Sequence, residues 1–143
     1  MTHTSPELRR LAERLLRYEA GRGGAGAEST AAAFRVGEKF RTVLAPILGS
    51  SGFRVFLRRA LTVAQSEAPE LMAVQVRADG SLEGSMTPAL QSGEGQVAEA
   101  EVILVGRLVG LLVDFIGEEL VMTLVREAWP KDAVRGWKGT SDG

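Results

Sequence analysis

Residues 97–124 read VAEAEVILVGRLVGLLVDFIGEELVMTL, and this stretch decides the fold. Between Val102 and Ile116, four residues interrupt the apolar run: Gly106, Arg107, Gly110 and Asp114. Apolar side chains would therefore cover nearly the whole circumference of a helix between Val97 and Phe115. Such a helix is buried in a folded protein, so we expect the rest of the chain to pack around it.

The same stretch contains one expected break. Gly117 can end the first helix, and the carboxylates of Glu118 and Glu119 suit the first turn of a second helix. The helical period continues to Ala128, and Pro130 stops it. We therefore expect two helices here, with a single unbroken helix through Gly117 as the alternative.

The N-terminal segment predicts an amphipathic helix from about Pro6 to about Ala20. Ser5 is a good N-cap, and proline suits the first helical position. One apolar stripe follows at helical spacing, made of Leu8, Leu11, Ala12, Leu15 and Leu16. Residues 21–27 (GRGGAGA) contain four glycines in seven positions, which indicates a loop.

A second helix should start near Ser29 and run toward Leu48. Its apolar face includes Gly37, which would let another helix approach closely. Pro46 lacks an amide hydrogen and clashes with the carbonyl four residues earlier. We therefore expect the helix to kink at this proline or to end about one turn before its apolar pattern stops.

The sequence GSSG at residues 49–52 indicates a turn between two helices, with Gly49 in the left-handed conformation that ends many helices. The third helix then begins at Phe53 and keeps a clean period of 3.6 residues. Pro69 should terminate it just before that residue.

The period then changes from 3.6 to 2, which indicates strands rather than helix. Apolar residues alternate with other residues at Met72, Val74 and Val76. An Asp79-Gly80 pair follows, and Asp-Gly between short alternating runs is typical of a hairpin. We expect a small two-stranded hairpin from about Leu71 to about Glu83. It must lie on the helices or pair with another chain, since a lone hairpin is marginal in water.

Together these patterns predict a mainly α protein. Residues 1–130 should form a single-domain helical bundle of about five helices with a small β-hairpin insertion. Residues 131–143 should form a polar C-terminal tail. The length of 143 residues fits one compact domain.

Composition excludes several kinds of chemistry. The chain has no cysteine, so disulfides, thiolate zinc sites and cysteine nucleophiles are excluded. The single histidine, His3, lies in the N-terminal tail, and Glu-x-x-His motifs of di-metal bundles are missing. We therefore expect no metal, no cofactor and no enzymatic activity.

Charge is distributed unevenly along the chain. Residues 1–65 hold eleven Lys and Arg against five acidic residues, a net charge of +6, whereas residues 66–143 hold six against thirteen, a net charge of −7. Such an asymmetry can orient a partner or a second copy of the chain. One basic and one acidic face of a bundle would produce the same numbers.

Gly106, Arg107, Gly110 and Asp114 are the candidate residues for an interface or a pocket. The spacing of the two glycines permits a tight helix crossing. The two charges lie two turns apart on roughly one face. They mark either the solvent-facing stripe of the helix or a polar contact that sets specificity or lines a pocket.

Arg54, Arg58 and Arg59 form a candidate basic patch on the third helix. The turn before them is compatible with a helix-turn-helix, in which these arginines would face DNA. The signal is weak because every helical hairpin has such a turn, and base-reading asparagines are missing. Nucleic acid is therefore not the partner that the sequence favours.

The function that the sequence favours is a non-enzymatic interaction module, adaptor or regulatory domain that docks a protein partner or a second copy through helix faces. The alternatives are a small-molecule sensor or enzyme with an apolar pocket between helices, and DNA binding. A membrane partner is disfavoured, since the apolar run is too short to cross a bilayer and contains two charges. We expect a cytoplasmic protein, because the N-terminus lacks the pattern of a secretion signal.

Overall fold

A computed structural model describes residues 6–22, 32–84 and 99–129, and within these ranges it is a mainly α bundle with a small hairpin. The helices are α1 (Pro6–Arg22), α2 (Ala32–Glu67), α3 (Glu99–Ile116) and α4 (Glu118–Ala128). A 3-10 turn (Pro69–Leu71) and the strands β1 (Gln75–Val76) and β2 (Leu82–Glu83) follow α2. Because Gly49 divides α2 into two halves, the described ranges contain five α-helical segments, and the predicted fold class is confirmed.

Six of the predicted features lie wholly or partly outside the described residues. These are His3, the N-cap Ser5, the loop over residues 21–27, the start of the second helix near Ser29, the stop at Pro130, and the polar tail over residues 131–143. Helix α1 runs to Arg22, two residues beyond its predicted end and into the glycine-rich stretch.

Helix α3 forms the centre of the bundle, as its apolar sequence predicts. It packs against α1, α2 and α4. Its buried residues occupy most of the helix surface: Ala100, Val102, Leu104, Val105, Gly106, Leu108, Val109, Gly110, Leu111 and Leu112. Three helices of the same chain are therefore enough to cover most of its apolar surface.

Contacts between helices fix the direction in which α2 wraps α3. The backbone amide of Ala33, at the start of α2, donates a hydrogen bond to the Glu101 carboxylate in the first turn of α3, over 3.1 Å. After Gly49 the second half of α2 returns along α3 in the opposite direction. Its Phe56 ring lies 4.9 Å from that of Phe115, between centroids, and Glu67 near its end pairs with Arg107.

Two glycines with nearly the same backbone conformation redirect the chain. Gly49 has φ 81° and ψ 154°, and Gly117 has φ 94° and ψ 150°. This region is accessible essentially to glycine alone. The predicted break at Gly117 is confirmed, and the alternative of an unbroken helix is wrong. Gly49 has the expected positive φ, but its ψ is not that of the predicted left-handed helical conformation.

The turn between the halves of α2 is shorter than predicted. Pro46 lies inside the helix, which continues to the break at Gly49, and residues 50–52 already belong to the second half. The predicted four-residue turn is therefore wrong in extent. A single glycine in an extended conformation with positive φ reverses the chain without further loop residues.

The hairpin is confirmed but is shorter than predicted. Its strands are antiparallel, with Val76 opposite Leu82. The N–H of Arg77 donates to the carbonyl of Ser81 over 2.7 Å, which closes a three-residue loop around Asp79. Met72 does not start the strand: the chain turns there after the 3-10 turn, and the Met72 side chain is 65% exposed.

The hairpin packs on the first half of α2. A Cβ placed on Gly37 would lie 3.3 Å from Leu82 Cδ1, and one placed on Gly80 would lie 3.3 Å from Arg41 Cδ. Gly37 therefore makes room for a hairpin side chain, and the expectation that it admits another helix is wrong. The expectation that the hairpin lies on the helices is correct.

Replacing Gly117 by alanine tests the backbone origin of the α3–α4 break. Apart from its two chain neighbours, no atom of the described residues lies within 4 Å of a Cβ added at Gly117, so the change introduces strain and no clash with them. We expect the free energy of unfolding to fall by about 1–3 kcal/mol in urea denaturation. Thr62→Ala, an exposed change within α2, should stay within about 0.5 kcal/mol of the parent protein. Equal stability of Gly117→Ala and the parent would contradict the assigned conformation.

The hydrogen bonds in the hairpin loop lead us to expect that Asp79 loses its proton at a lower pH than an ordinary aspartate. Its carboxylate accepts hydrogen bonds from the Ser81 hydroxyl over 2.6 Å and the Ser81 amide over 3.0 Å, and these bonds lower the pKa of Asp79 below its ordinary value. The loop contact should therefore be complete above the ordinary aspartate pKa and should be lost as pH falls through the lowered one. An NMR titration should show this low midpoint, and Ser81→Ala should raise it. An Asp79 midpoint that Ser81→Ala leaves unchanged would refute the cause.

Candidate functional site

The four candidate residues of α3 lie along one side of the helix but differ in burial. Gly106 and Gly110 are buried in the core. Arg107 is 17% exposed and forms an ion pair with Glu67 of α2, whereas Asp114 is exposed. The two charges thus lie at the solvent edge of α3, and one of them joins α3 to α2.

The three arginines of the candidate basic patch lie on the second half of α2. Arg58 and Arg59 are exposed, and Arg54 is half-buried. The Arg54 Nε is itself buried and has no hydrogen-bond partner among the described residues. Arg54 and Arg58 are one turn apart and share a face, whereas Arg59 is rotated from Arg58 by about 100° around the helix.

A buried carboxylate that the sequence did not single out connects three helices. Glu19, in the last turns of α1, is 2% exposed. Its Oε2 accepts hydrogen bonds from Trp129 Nε1, just after α4, over 2.9 Å and from Lys39 Nζ of α2 over 2.7 Å. A buried charge has to be paired and hydrogen-bonded, and both conditions are met here.

Aromatic rings surround the same group of charges. The Lys39 ammonium lies 5.2 Å from the centroid of the Tyr18 ring and 5.5 Å from that of the Trp129 ring, within cation–π distance. Trp129 is 1% exposed and packs edge-on against Phe40, with centroids 5.1 Å apart. We call Glu19, Lys39 and Trp129 the buried polar cluster.

One signal in the sequence could have revealed this cluster. Glu19 follows Leu15 by four residues, so it continues the apolar stripe of α1, where a charge needs a partner. Its partners could not be identified from the sequence, because Trp129 lies 110 residues away along the chain.

A cleft of about 590 Å³ lies above the buried polar cluster, between the end of α1, the start of α2 and the hairpin. This volume is in the range of small-molecule sites. The lining residues are Glu19, Phe34, Arg35, Glu38, Lys39, Arg77, Ser81 and Leu82. The residues that the sequence suggested for a pocket, Gly106, Arg107, Gly110 and Asp114, do not line this cleft.

A second surface feature lies at the end of the bundle where the two glycine breaks occur. Phe115 is 61% exposed, two residues before Gly117, and its ring contacts that of Phe56. Large apolar side chains are also exposed near both breaks, at Ile47, Val55 and Leu120. We call these five residues, Ile47, Val55, Phe56, Phe115 and Leu120, the apolar end surface.

Within residues 6–22, 32–84 and 99–129, no cluster of acidic or histidine side chains could hold a metal ion. Across the same ranges, no helix has the length and apolar character that a membrane crossing needs. Comparisons with protein-family models, curated proteins and solved structures gave no match. The proposals below therefore rest on the residues of this chain alone.

A double-mutant cycle tests the buried polar cluster. Lys39→Met leaves the buried Glu19 carboxylate with the indole as its one side-chain donor among the described residues. Because the Lys39 side chain is itself 32% exposed, we expect a loss of about 1–3 kcal/mol in the free energy of unfolding. Adding Glu19→Gln removes the stranded charge and should recover more than about 1 kcal/mol. Urea denaturation of the parent, the two single variants and the double variant measures the coupling.

The matched control is the exposed pair of Arg77 and Glu83, whose charged atoms are 3.7 Å apart. Its cycle, with both residues changed to glutamine, should give a coupling below about 1 kcal/mol. Additive effects of Lys39→Met and Glu19→Gln would show that the two side chains do not form the assigned pair.

Proposed function

We propose that this protein is a non-enzymatic interaction module of the cytoplasm, of the adaptor or regulatory kind, and that it associates with a second copy through the apolar end surface. The observation that carries the proposal is the exposed Phe115 ring against Phe56, with Ile47, Val55 and Leu120 exposed around the same end. Large aromatic and aliphatic side chains grouped on a surface are typical of binding sites.

Opposite charges on the two elements that carry most of the apolar end surface favour a second copy as its occupant. Arg58 and Arg59 belong to the second half of α2, whereas Asp114, Glu118 and Glu119 belong to the end of α3 and the start of α4. In a two-fold dimer the same patch meets itself in reversed orientation. The basic side of one copy then faces the acidic side of the other, and the apolar residues meet between them.

The charge asymmetry along the chain also supports this proposal. The net charge of residues 1–65 is positive and that of residues 66–143 is negative, and the second half of α2 and the α3–α4 junction carry residues of these two signs. Charge complementarity of this kind contributes mainly to orientation and to the association rate. The apolar residues would contribute most of the affinity.

Phe115→Ser should weaken self-association with little effect on folding, because the Phe115 side chain is mostly exposed. Loss of one large apolar contact corresponds to about 1.5–3 kcal/mol, and therefore to a roughly tenfold to hundredfold higher dissociation constant. Sedimentation equilibrium over a concentration series measures it. The matched control is Met72→Ser, since Met72 is as exposed as Phe115 but follows the other end of α2.

Exchanging the charges of the basic and acidic residues tests whether they face each other in the dimer. Arg58→Glu with Arg59→Glu should weaken the dimer, and adding Glu118→Lys with Glu119→Lys should restore it. A parent protein that stays monomeric at high concentration would refute self-association. Retained association in Phe115→Ser together with salt-dependent DNA binding that requires Arg54, Arg58 and Arg59 would favour the DNA-binding alternative instead.

A further inference from the structure

The residues that line the cleft between α1, α2 and the hairpin have no role in the proposed self-association. Its charged lining comprises Arg35, Lys39 and Arg77 against Glu19 and Glu38, an excess of one positive charge. Phe34 and Leu82 add an apolar wall. The apolar end surface shares no residue with this lining, so the two features are independent.

The carboxylates of the cleft already have partners. Glu19 accepts hydrogen bonds from Lys39 and Trp129. Both oxygens of Glu38 accept hydrogen bonds from Arg41, over 2.5 Å from its Nη2 and 3.4 Å from its Nε. A cationic ligand would have to compete with these partners, so the cleft is poorly suited to an amine.

The arginines of the cleft, unlike its carboxylates, keep hydrogen-bonding groups that are not fully used. Arg35 donates to the backbone carbonyl of Glu19 over 3.2 Å, and no carboxylate of the described chain forms an ion pair with it. Among the described residues, Arg77 pairs with Glu83 at 3.7 Å, which is longer than a normal charged hydrogen bond, and its charge also acts on the Asp79 carboxylate. A guanidinium has five N–H donors, so both groups retain donors for an anion.

We infer that this cleft binds a small organic anion, with a carboxylate or phosphate group at Arg35 and Arg77 and an apolar part against Phe34 and Leu82. Arginine binds both anionic groups with two parallel hydrogen bonds. Glu19 and Lys39 of the buried polar cluster belong to the lining of the site, and the Lys39 ammonium neutralises the Glu19 charge there.

Isothermal titration calorimetry of the full chain with phenyl phosphate and with octanoate tests the inference. We expect saturable binding of at least one of these anions. Inorganic phosphate lacks the apolar part, and benzyl alcohol lacks the charge. Each should bind at least about tenfold more weakly, because each can contact only the arginines or only the apolar wall of the cleft.

Variants locate the binding within the protein. Arg35→Gln and Arg77→Gln should each raise the dissociation constant at least about tenfold, and the matched control Arg58→Gln should leave it unchanged. Arg77 is exposed on the hairpin, so Arg77→Gln alone carries the test if Arg35→Gln does not fold. Circular dichroism melting identifies such a folding failure.

Three results would overturn the inference. The first is the absence of saturable binding of either anion at millimolar concentration. The second is full affinity in a folded variant that carries both Arg35→Gln and Arg77→Gln. The third is co-sedimentation with vesicles of anionic phospholipid without binding of the soluble anions, which would assign the arginines to a membrane surface. Loss of self-association in Phe115→Ser would leave anion binding intact, so the two proposals can fail separately.

Discussion

The constraint on which the structure depends is the nearly all-round apolar surface of α3. A helix of this kind gains free energy only when every side is covered, and one neighbouring helix covers only one side. The chain meets this requirement with α1, both halves of α2 and α4, which all pack around α3. The two glycine breaks are what allow α2 and α4 to turn back along α3 without long loops.

Covering α3 creates a second requirement, which concerns charge. Chain segments that close around an apolar helix bring their polar groups together at its edges, and those groups need partners. Glu101 accepts a hydrogen bond from the first turn of α2, Arg107 pairs with Glu67, and Glu19 joins the ends of α1 and α4 through Trp129. These contacts connect elements that are far apart in sequence, and they define how the helices are ordered around α3.

How much of the structure the sequence could predict depends on how far apart along the chain the interacting residues lie. Helix periodicity, the Gly117 break and the Asp-Gly hairpin depend on neighbouring residues, and all three were predicted correctly. The environment of Gly37 was predicted wrongly, because whether a helix or a hairpin approaches a small residue depends on tertiary packing. The partners of Glu19 could not be predicted for the same reason, although its position on an apolar stripe signals that it has them. The proposed interface at Phe115 and the anion cleft stay predictions.

Hydrogen exchange in α3 tests most directly whether one chain is sufficient to bury this helix. Amide exchange is measured by mass spectrometry at a high protein concentration and at one diluted below the dissociation constant of any dimer. We expect residues 104–112 to exchange more slowly than the rest of the described chain at both concentrations, because α1, α2 and α4 of the same chain cover them. Loss of that protection on dilution would show that a second copy completes the core, and it would contradict the account.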